Sequence, residues 1–218
     1  MAGQVYWRQR QVTKPGMLLP TDAELWVREA QRYVSRGGIK LEGALDALEL
    51  QVAGLTCVDI GASTGGFTDC LLQRGAGRVF AVDVGKGLLA SKLREDPRVT
   101  VMEKTNARHL TRDAFDARID LVVVDASFIS SELLMPAIAG LLGPGGRLLA
   151  LVKPQFEAGR QHAARGKGVI RDPEVRETAI AKARTAIARG GFTVTAECDS
   201  PIAGPKGNLE RFVLATRT

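Results

Sequence analysis

The stretch LTCVDIGASTGGFTDCLLQRGAGRVFAVDV, residues 55–84, decides the fold. Residues 55–60 are a short apolar run, the right length for a buried strand and too short for a helix. Gly61-Ala62-Ser63-Thr64-Gly65-Gly66 interrupts it, and residues 67–74 continue with helical spacing until Gly75 and Gly77 stop them. Residues 78–84 form a second apolar run ending in Asp83-Val84. Strand, glycine-rich turn, helix and strand in that order predict a crossover unit with two parallel strands.

The same alternation continues toward the C-terminus. A helix is expected over 88–94, a strand over 99–103 and an almost wholly apolar strand over 119–125. A helix over 131–142 is closed by Gly-Pro-Gly-Gly, and 147–153 make a fifth strand. Residues 173–189 read as a long helix behind an Asp172 cap, and 193–200 with 210–216 as a final strand pair. Strands this uniformly apolar are expected where helices cover both faces of a parallel sheet. The prediction for 31–218 is therefore α/β: a Rossmann-like, doubly wound, mostly parallel sheet, with ligands bound beyond the carboxyl ends of its strands. Residues 1–30 differ. A strand over 4–12, a turn at Lys14-Pro15-Gly16 and a strand over 23–27 cannot bury a core alone, so they are assigned to a separate small segment. Trp7 and Trp26 in that segment are assigned packing roles.

Composition bounds the function. The 218 residues allow one full domain and an appendage, and 45% hydrophobic residues suffice for a packed core. No apolar run reaches the roughly 20 residues that span a bilayer, and the start MAGQVYWRQRQ lacks the apolar stretch of a signal peptide. A cytoplasmic location is expected. Cys57, Cys70 and Cys198 show no paired spacing for disulfides or metal, so no metal is expected, and Cys57 and Cys70 read as small buried hydrophobes. The formal charge of +6 suits a polyanionic partner. Basic residues gather at 8–14, 28–40 and 160–171, expected to be either solvated surface or a shared RNA-facing surface.

The glycine turn carries the first chemical signal. Asp59 precedes it and Asp83 ends the next strand, where a carboxylate can accept both ribose hydroxyls of an adenosine. The pattern G-x-G-x-x-G is not met, because Ser63 stands where the second glycine would let a pyrophosphate approach. That favours S-adenosylmethionine over a dinucleotide. Gly61-Ala62-Ser63-Thr64-Gly65 also fits the G-x-S-x-G of an α/β-hydrolase, with Asp125 and then His162 in the required order and His109 the other histidine. That elbow, however, follows a later strand of its sheet.

Four further residues could carry chemistry. Asp125 and Lys153 end apolar strands, Lys40 lies in SRGGIKL, and Glu210 opens the last strand after GPKGN. A ribose 2′-hydroxyl must lose its proton as it attacks a methyl carbon. A lysine can take that proton where burial and a neighbouring cation favour the neutral amine, with carboxylates orienting it.

These segments resemble the TlyA-type ribosomal RNA 2′-O-methyltransferases, often labelled hemolysins, whose catalytic domain is of the FtsJ class. The resemblance rests on YVSRGGIKLEGAL (33–45), VDIGASTGGFTDCLLQRGA (58–76), AVDVGKGLL (81–89), DPRV (96–99), KTNAR (104–108), DLVVVDASFIS (120–130), LVKPQFEAG (151–159) and SPIAGPKGNLE (200–210). It implies a catalytic tetrad at Lys40, Asp125, Lys153 and Glu210, with Lys153 activating the hydroxyl. It also implies S-adenosylmethionine bound by Gly61, Ser63, Gly65, Gly66, Phe67 and Thr68 beside Asp59, with Asp83 on the ribose and Asn106 near the adenine. The implied partner is ribosomal RNA or a ribosomal subunit, with cytidine as target. The family carries an N-terminal S4 RNA-binding domain that begins with two helices; residues 1–30 resemble its strand portion only. The hemolysin label implies a competing reading as a membrane-active protein, and a small-molecule methyltransferase is a third.

Overall fold

The central strands are buried almost end to end in a computed structural model, which describes residues 5–27, 31–127, 129–158 and 168–218. The chain divides into two units, Met1–Arg32 and Tyr33–Thr218. In the smaller, β1 (Val5–Trp7) pairs antiparallel with β2 (Arg10–Gln11) and β3 (Leu25–Val27). The single strand expected over 4–12 is thus two strands joined by a turn at Arg8, where φ is 52°; Gln4 lies outside the described residues. Trp26 stacks on Tyr6 at 4.8 Å between ring centroids, and its indole N–H donates to the Arg8 carbonyl at 2.8 Å. Both contacts fit the packing role expected of it.

In the larger unit the strands are β4 (Thr56–Ile60), β5 (Arg78–Val82), β6 (Val99–Met102), β7 (Ile119–Val124), β8 (Leu142–Val152), β9 (Phe192–Asp199) and β10 (Arg211–Arg217). They form one sheet in the order β6-β5-β4-β7-β8-β10-β9. The first five are parallel, and β10 runs antiparallel to both β8 and β9. The helices are α1 (Arg36–Ala47), α2 (Gly66–Gln73), α3 (Ser91–Arg94), α4 (Ser131–Leu141), α5 (Pro154–Glu157) and α6 (Pro173–Arg189).

Each face of the sheet has its own core, which explains the uninterrupted apolar strands. Val58, Ile60, Val122, Val124, Leu148 and Ala150 point to a layer containing Ile138 of α4 and Ile180 and Ile187 of α6. Cys57, Leu121, Val123, Leu149 and Leu151 point the other way, toward Leu41 of α1 and Phe67, Cys70 and Leu71 of α2. Cys57 and Cys70 are buried as expected.

The sequence reading contained no counterpart of α1. Gly37 and Gly38 are poor helix residues, and packing explains their presence. A Cβ on Gly38 would lie 2.2 Å from Tyr33 Cγ, and one on Gly43 would lie 2.6 Å from Pro201 Cγ. Ser35 caps the helix by accepting from the Gly37 N–H at 3.3 Å. The helix therefore exists because its glycines let it approach its neighbours closely. Helix α3 is shorter than expected, and β8 begins five residues before 147, with a register shift between Ile119 and Leu121 that absorbs the Gly-Pro-Gly-Gly insertion.

Candidate active site

Leaving β6, the chain crosses back over the sheet to β7, so the strand order reverses between β4 and β7. Helices diverge from such a switch point and leave a crevice at the carboxyl ends of the strands. Gly61 and Asp125 meet there. The Asp125 N–H donates to the Ile60 carbonyl at 2.9 Å, and a Cβ on Gly61, whose φ is 86°, would lie 2.9 Å from the Asp125 carbonyl oxygen. Only glycine takes both that conformation and that approach.

The expected cofactor residues separate into two groups. Gly61, Ser63, Asp83 and Asn106 face solvent at least in part, while Asp59, Gly65, Gly66, Phe67 and Thr68 are buried. Asp83 accepts from the Ser63 N–H at 2.8 Å through one oxygen and from the Gly85 N–H at 2.7 Å through the other. It ties the glycine turn to the end of β5 and keeps free lone pairs for a ligand's hydroxyls. Asn106 caps a short turn by accepting from the Arg108 N–H at 3.1 Å. In the buried group, a Cβ on Gly65 would lie 2.2 Å from Leu93 Cδ1 and one on Gly66 2.3 Å from Ser35 Oγ. Those two glycines serve helix packing around the turn. Thr68 donates to one Asp59 oxygen at 3.0 Å from its N–H and at 2.7 Å from its hydroxyl, which anchors the start of α2.

Asp59 is fully buried and its second oxygen has no hydrogen-bond partner among the described residues. Burial pushes its acid up to about 7; the Thr68 bonds pull the other way, and the Asp125 and Asp83 carboxylates raise it further. With Asp59 held toward its neutral acid and Asp125 beside the Lys153 amine, the Asp83 carboxylate is the charge that disfavours a pyrophosphate at the turn and suits hydroxyl donors. The donor set therefore fits S-adenosylmethionine, which Gly61, Ser63 and Asp83 could hold.

The four expected catalytic residues form two ion pairs. Lys40, on α1, meets Glu210 at 2.5 Å, with the side chains 7% and 1% exposed. Lys153, just past β8, meets Asp125, just past β7, at 2.6 Å. The pairs are neighbours through the sheet: Arg211 of β10 stands opposite Val152 of β8, so the register carried one residue further sets Glu210 across from Lys153. The Lys153 amine also donates to Ser127 Oγ at 2.9 Å and to the Asp125 carbonyl at 3.2 Å. A Cβ on Gly204 would lie 2.5 Å from Glu210 Oε1, so the loop before β10 closes tightly on the carboxylate.

Supporting residues escaped the sequence reading. Asn208 is buried and pins the Glu210 loop, donating to the Gly168 carbonyl at 2.8 Å and accepting from the Ile170 N–H at 2.9 Å. Glu157 is buried and accepts from both the N–H and the hydroxyl of Ser131 at 2.7 Å. Its position four residues after Lys153, and that of Asn208 two before Glu210, were the available signals. The expected basic clusters fare unevenly. Lys40 in 28–40 is sealed in an ion pair rather than solvated, and Arg28 and most of 160–171, His162 included, lie outside the described residues. The hydrolase reading is not favoured: Ser63 sits on the turn after the central strand β4, and no hydrogen bond joins it to a histidine among the described residues.

Comparison with known proteins agrees with this geometry. The 16S/23S rRNA (cytidine-2′-O)-methyltransferase TlyA of Mycobacterium tuberculosis is 49% identical over 201 residues, covering 91% of this chain and 74% of that protein. A solved hemolysin candidate from Lactococcus lactis is 46% identical with a TM-score of 0.83, covering 87% of this chain and 90% of that one. An S-adenosylmethionine-dependent methyltransferase from Mesorhizobium loti, at 19% identity and a TM-score of 0.59 over 80% of this chain and 96% of that one, shares the fold. Residues 33–218 match the FtsJ-like methyltransferase model, and the chain belongs to that family.

Proposed function

We propose that this chain transfers a methyl group from S-adenosylmethionine to a ribose 2′-hydroxyl of ribosomal RNA, at a cytidine, using Lys40, Asp125, Lys153 and Glu210. The observation that carries the reading is the pairing of two lysines with two carboxylates beside the glycine turn, at the point where the strand order reverses. The M. tuberculosis relative, named for cytidine 2′-O-methylation of 16S and 23S rRNA, supports the substrate class.

S-adenosylmethionine, when bound, supplies a methyl group on a sulfonium whose leaving group is a neutral thioether, so a base and an aligned acceptor are what the protein must add. Lys153 Nζ accepts the 2′-hydroxyl proton as the oxygen attacks, with Asp125 orienting the amine. The Lys40–Glu210 pair sets a fixed charge beside that end of β8, and Asp83 receives the ribose hydroxyls of the adenosine. Alignment of the acceptor supplies much of the remaining acceleration. Residues 1–30 are read as the strand part of an S4-like RNA-binding segment, with Arg8, Arg10 and Lys14 available to phosphates.

The membrane-active reading draws no support from the fold: among the described residues no helix is long and apolar enough to cross a membrane. The test is tritium transfer from labelled S-adenosylmethionine to naked ribosomal RNA, 30S and 50S particles, with a no-RNA control. Label mapping to a 2′-O-methyl nucleotide is the expected result; cofactor binding with transfer to a small molecule alone would overturn it.

A further inference from the structure

We propose that Ser127 is a positioning residue for Lys153, holding one of the two amine directions that stay fixed while the third meets the acceptor hydroxyl. The inference rests on the reading of Lys153 as proton acceptor. A lysine nitrogen has three directions besides its carbon, and here two of them make hydrogen bonds. The acceptors are Ser127 Oγ at 2.9 Å and the Asp125 carbonyl at 3.2 Å, while Asp125 Oδ1 lies at 2.6 Å as an ion-pair partner outside hydrogen-bond geometry. The third direction is the one an incoming ribose hydroxyl takes. The neutral amine then donates its two protons to Ser127 Oγ and the Asp125 carbonyl, and its lone pair faces the hydroxyl. After transfer the proton that left O2′ completes the ammonium, and the other two bonds are unchanged. With the carbonyl alone, the amine would rotate about a single anchor.

The turn that carries these acceptors is braced on both sides. The Asp125 N–H extends the ladder to Ile60, and beyond Ser127 the start of α4 is fastened by Ser131 to Glu157, in the helix that directly follows Lys153. Residues 125–131 and 153–157 are thus joined at two points, one of which is the Lys153 amine. Ser127 itself is exposed, so replacing it leaves the core untouched.

The experiment compares Ser127→Ala and Ser127→Thr with the unaltered chain, using 30S and 50S particles as acceptors and calorimetry for S-adenosylmethionine. Ser127→Ala is expected to lower kcat about tenfold with KM for the particle and cofactor affinity unchanged within about twofold, because misdirection affects the reacting geometry and not binding. Ser127→Thr, which restores the hydroxyl, is expected to recover most of the rate. Full turnover in Ser127→Ala, a parallel loss of cofactor affinity, or failure of the threonine to rescue would each overturn the inference. Lys153→Ala is run alongside: turnover there removes Lys153 as the base, whereas an inactive Lys153→Ala with a fully active Ser127→Ala removes only the role of Ser127. Where neither particle takes label, the ¹⁵Nζ resonance of Lys153 decides. Protons visible in the unaltered chain and lost in Ser127→Ala support the inference, and equal signals overturn it.

Discussion

The two lysine–carboxylate pairs sit on adjacent chain ends of one sheet and differ in how far water reaches them. Lys40–Glu210 joins residues 170 positions apart and is sealed. Lys153–Asp125 joins the ends of neighbouring parallel strands; Lys153 is about as buried as Lys40, at 9%, but the Asp125 side chain is 23% exposed. A sealed ion pair contributes little net stability but is costly to break, since one partner's loss leaves a buried charge uncompensated. A pair whose acid is partly exposed is cheaper to break than one sealed on both sides. The difference fits the proposed division, a fixed electrostatic role for the first pair and proton transfer for the second.

The sharpest way to break that division is Lys153→Ala. Methyl transfer is expected to fall about 10³-fold, within the range for a lost general base, with cofactor affinity nearly unchanged. Retained turnover in the tritium assay would show that the open pair is not the reacting one. Glu210→Ala tests the sealed pair. It is expected to cost about 3 kcal/mol in denaturant unfolding, and the double change Lys40→Met/Glu210→Leu to recover most of that while remaining inactive. Asp125→Asn should cost less than Glu210→Ala, because Asp125 is partly exposed and asparagine keeps the side chain's size; equal losses at the two acids would erase the contrast. Asp83→Ala is expected to weaken S-adenosylmethionine binding about tenfold by calorimetry, through one lost charge-assisted hydrogen bond.

Asp59 extends the comparison to a buried carboxylate with no cation beside it. Its acid is pushed up to about 7, above its unfolded value, so the folded protein holds the proton more tightly. The stability associated with that proton is present at low pH and is lost as pH rises toward and through about 7. The unliganded protein should therefore melt a few degrees lower at pH 8 than at pH 5, and Asp59→Asn should flatten this dependence; an unchanged slope would place the titration elsewhere.

The legible part of the fold was its strand and helix alternation from residue 55 onward, because a sheet covered on both faces demands apolar runs whatever else the chain does. Helix α1 was not legible. Local propensity counts Gly37, Gly38 and Gly43 against a helix, and only Tyr33, Phe67 and Pro201 packed against them supply the reason. The site divides in the same way. Asp125 and Lys153 could be picked out as polar ends of apolar strands, and Asp83 by its spacing from the glycine turn. Ser127, Glu157 and Asn208 could not, since each acts through a partner 26 to 40 residues away.

The sequence by itself determined the doubly wound sheet, the glycine turn that opens its second helix, and the four ionisable residues worth watching. Tertiary structure alone decided which lysine meets which acid. The antiparallel return of β10 along β8 carries Glu210 to the end where Lys153 emerges, and the close approach of a glycine-bearing α1 delivers Lys40 to it. Pairing over that separation is set by sheet register and helix packing, which no local pattern of residues records.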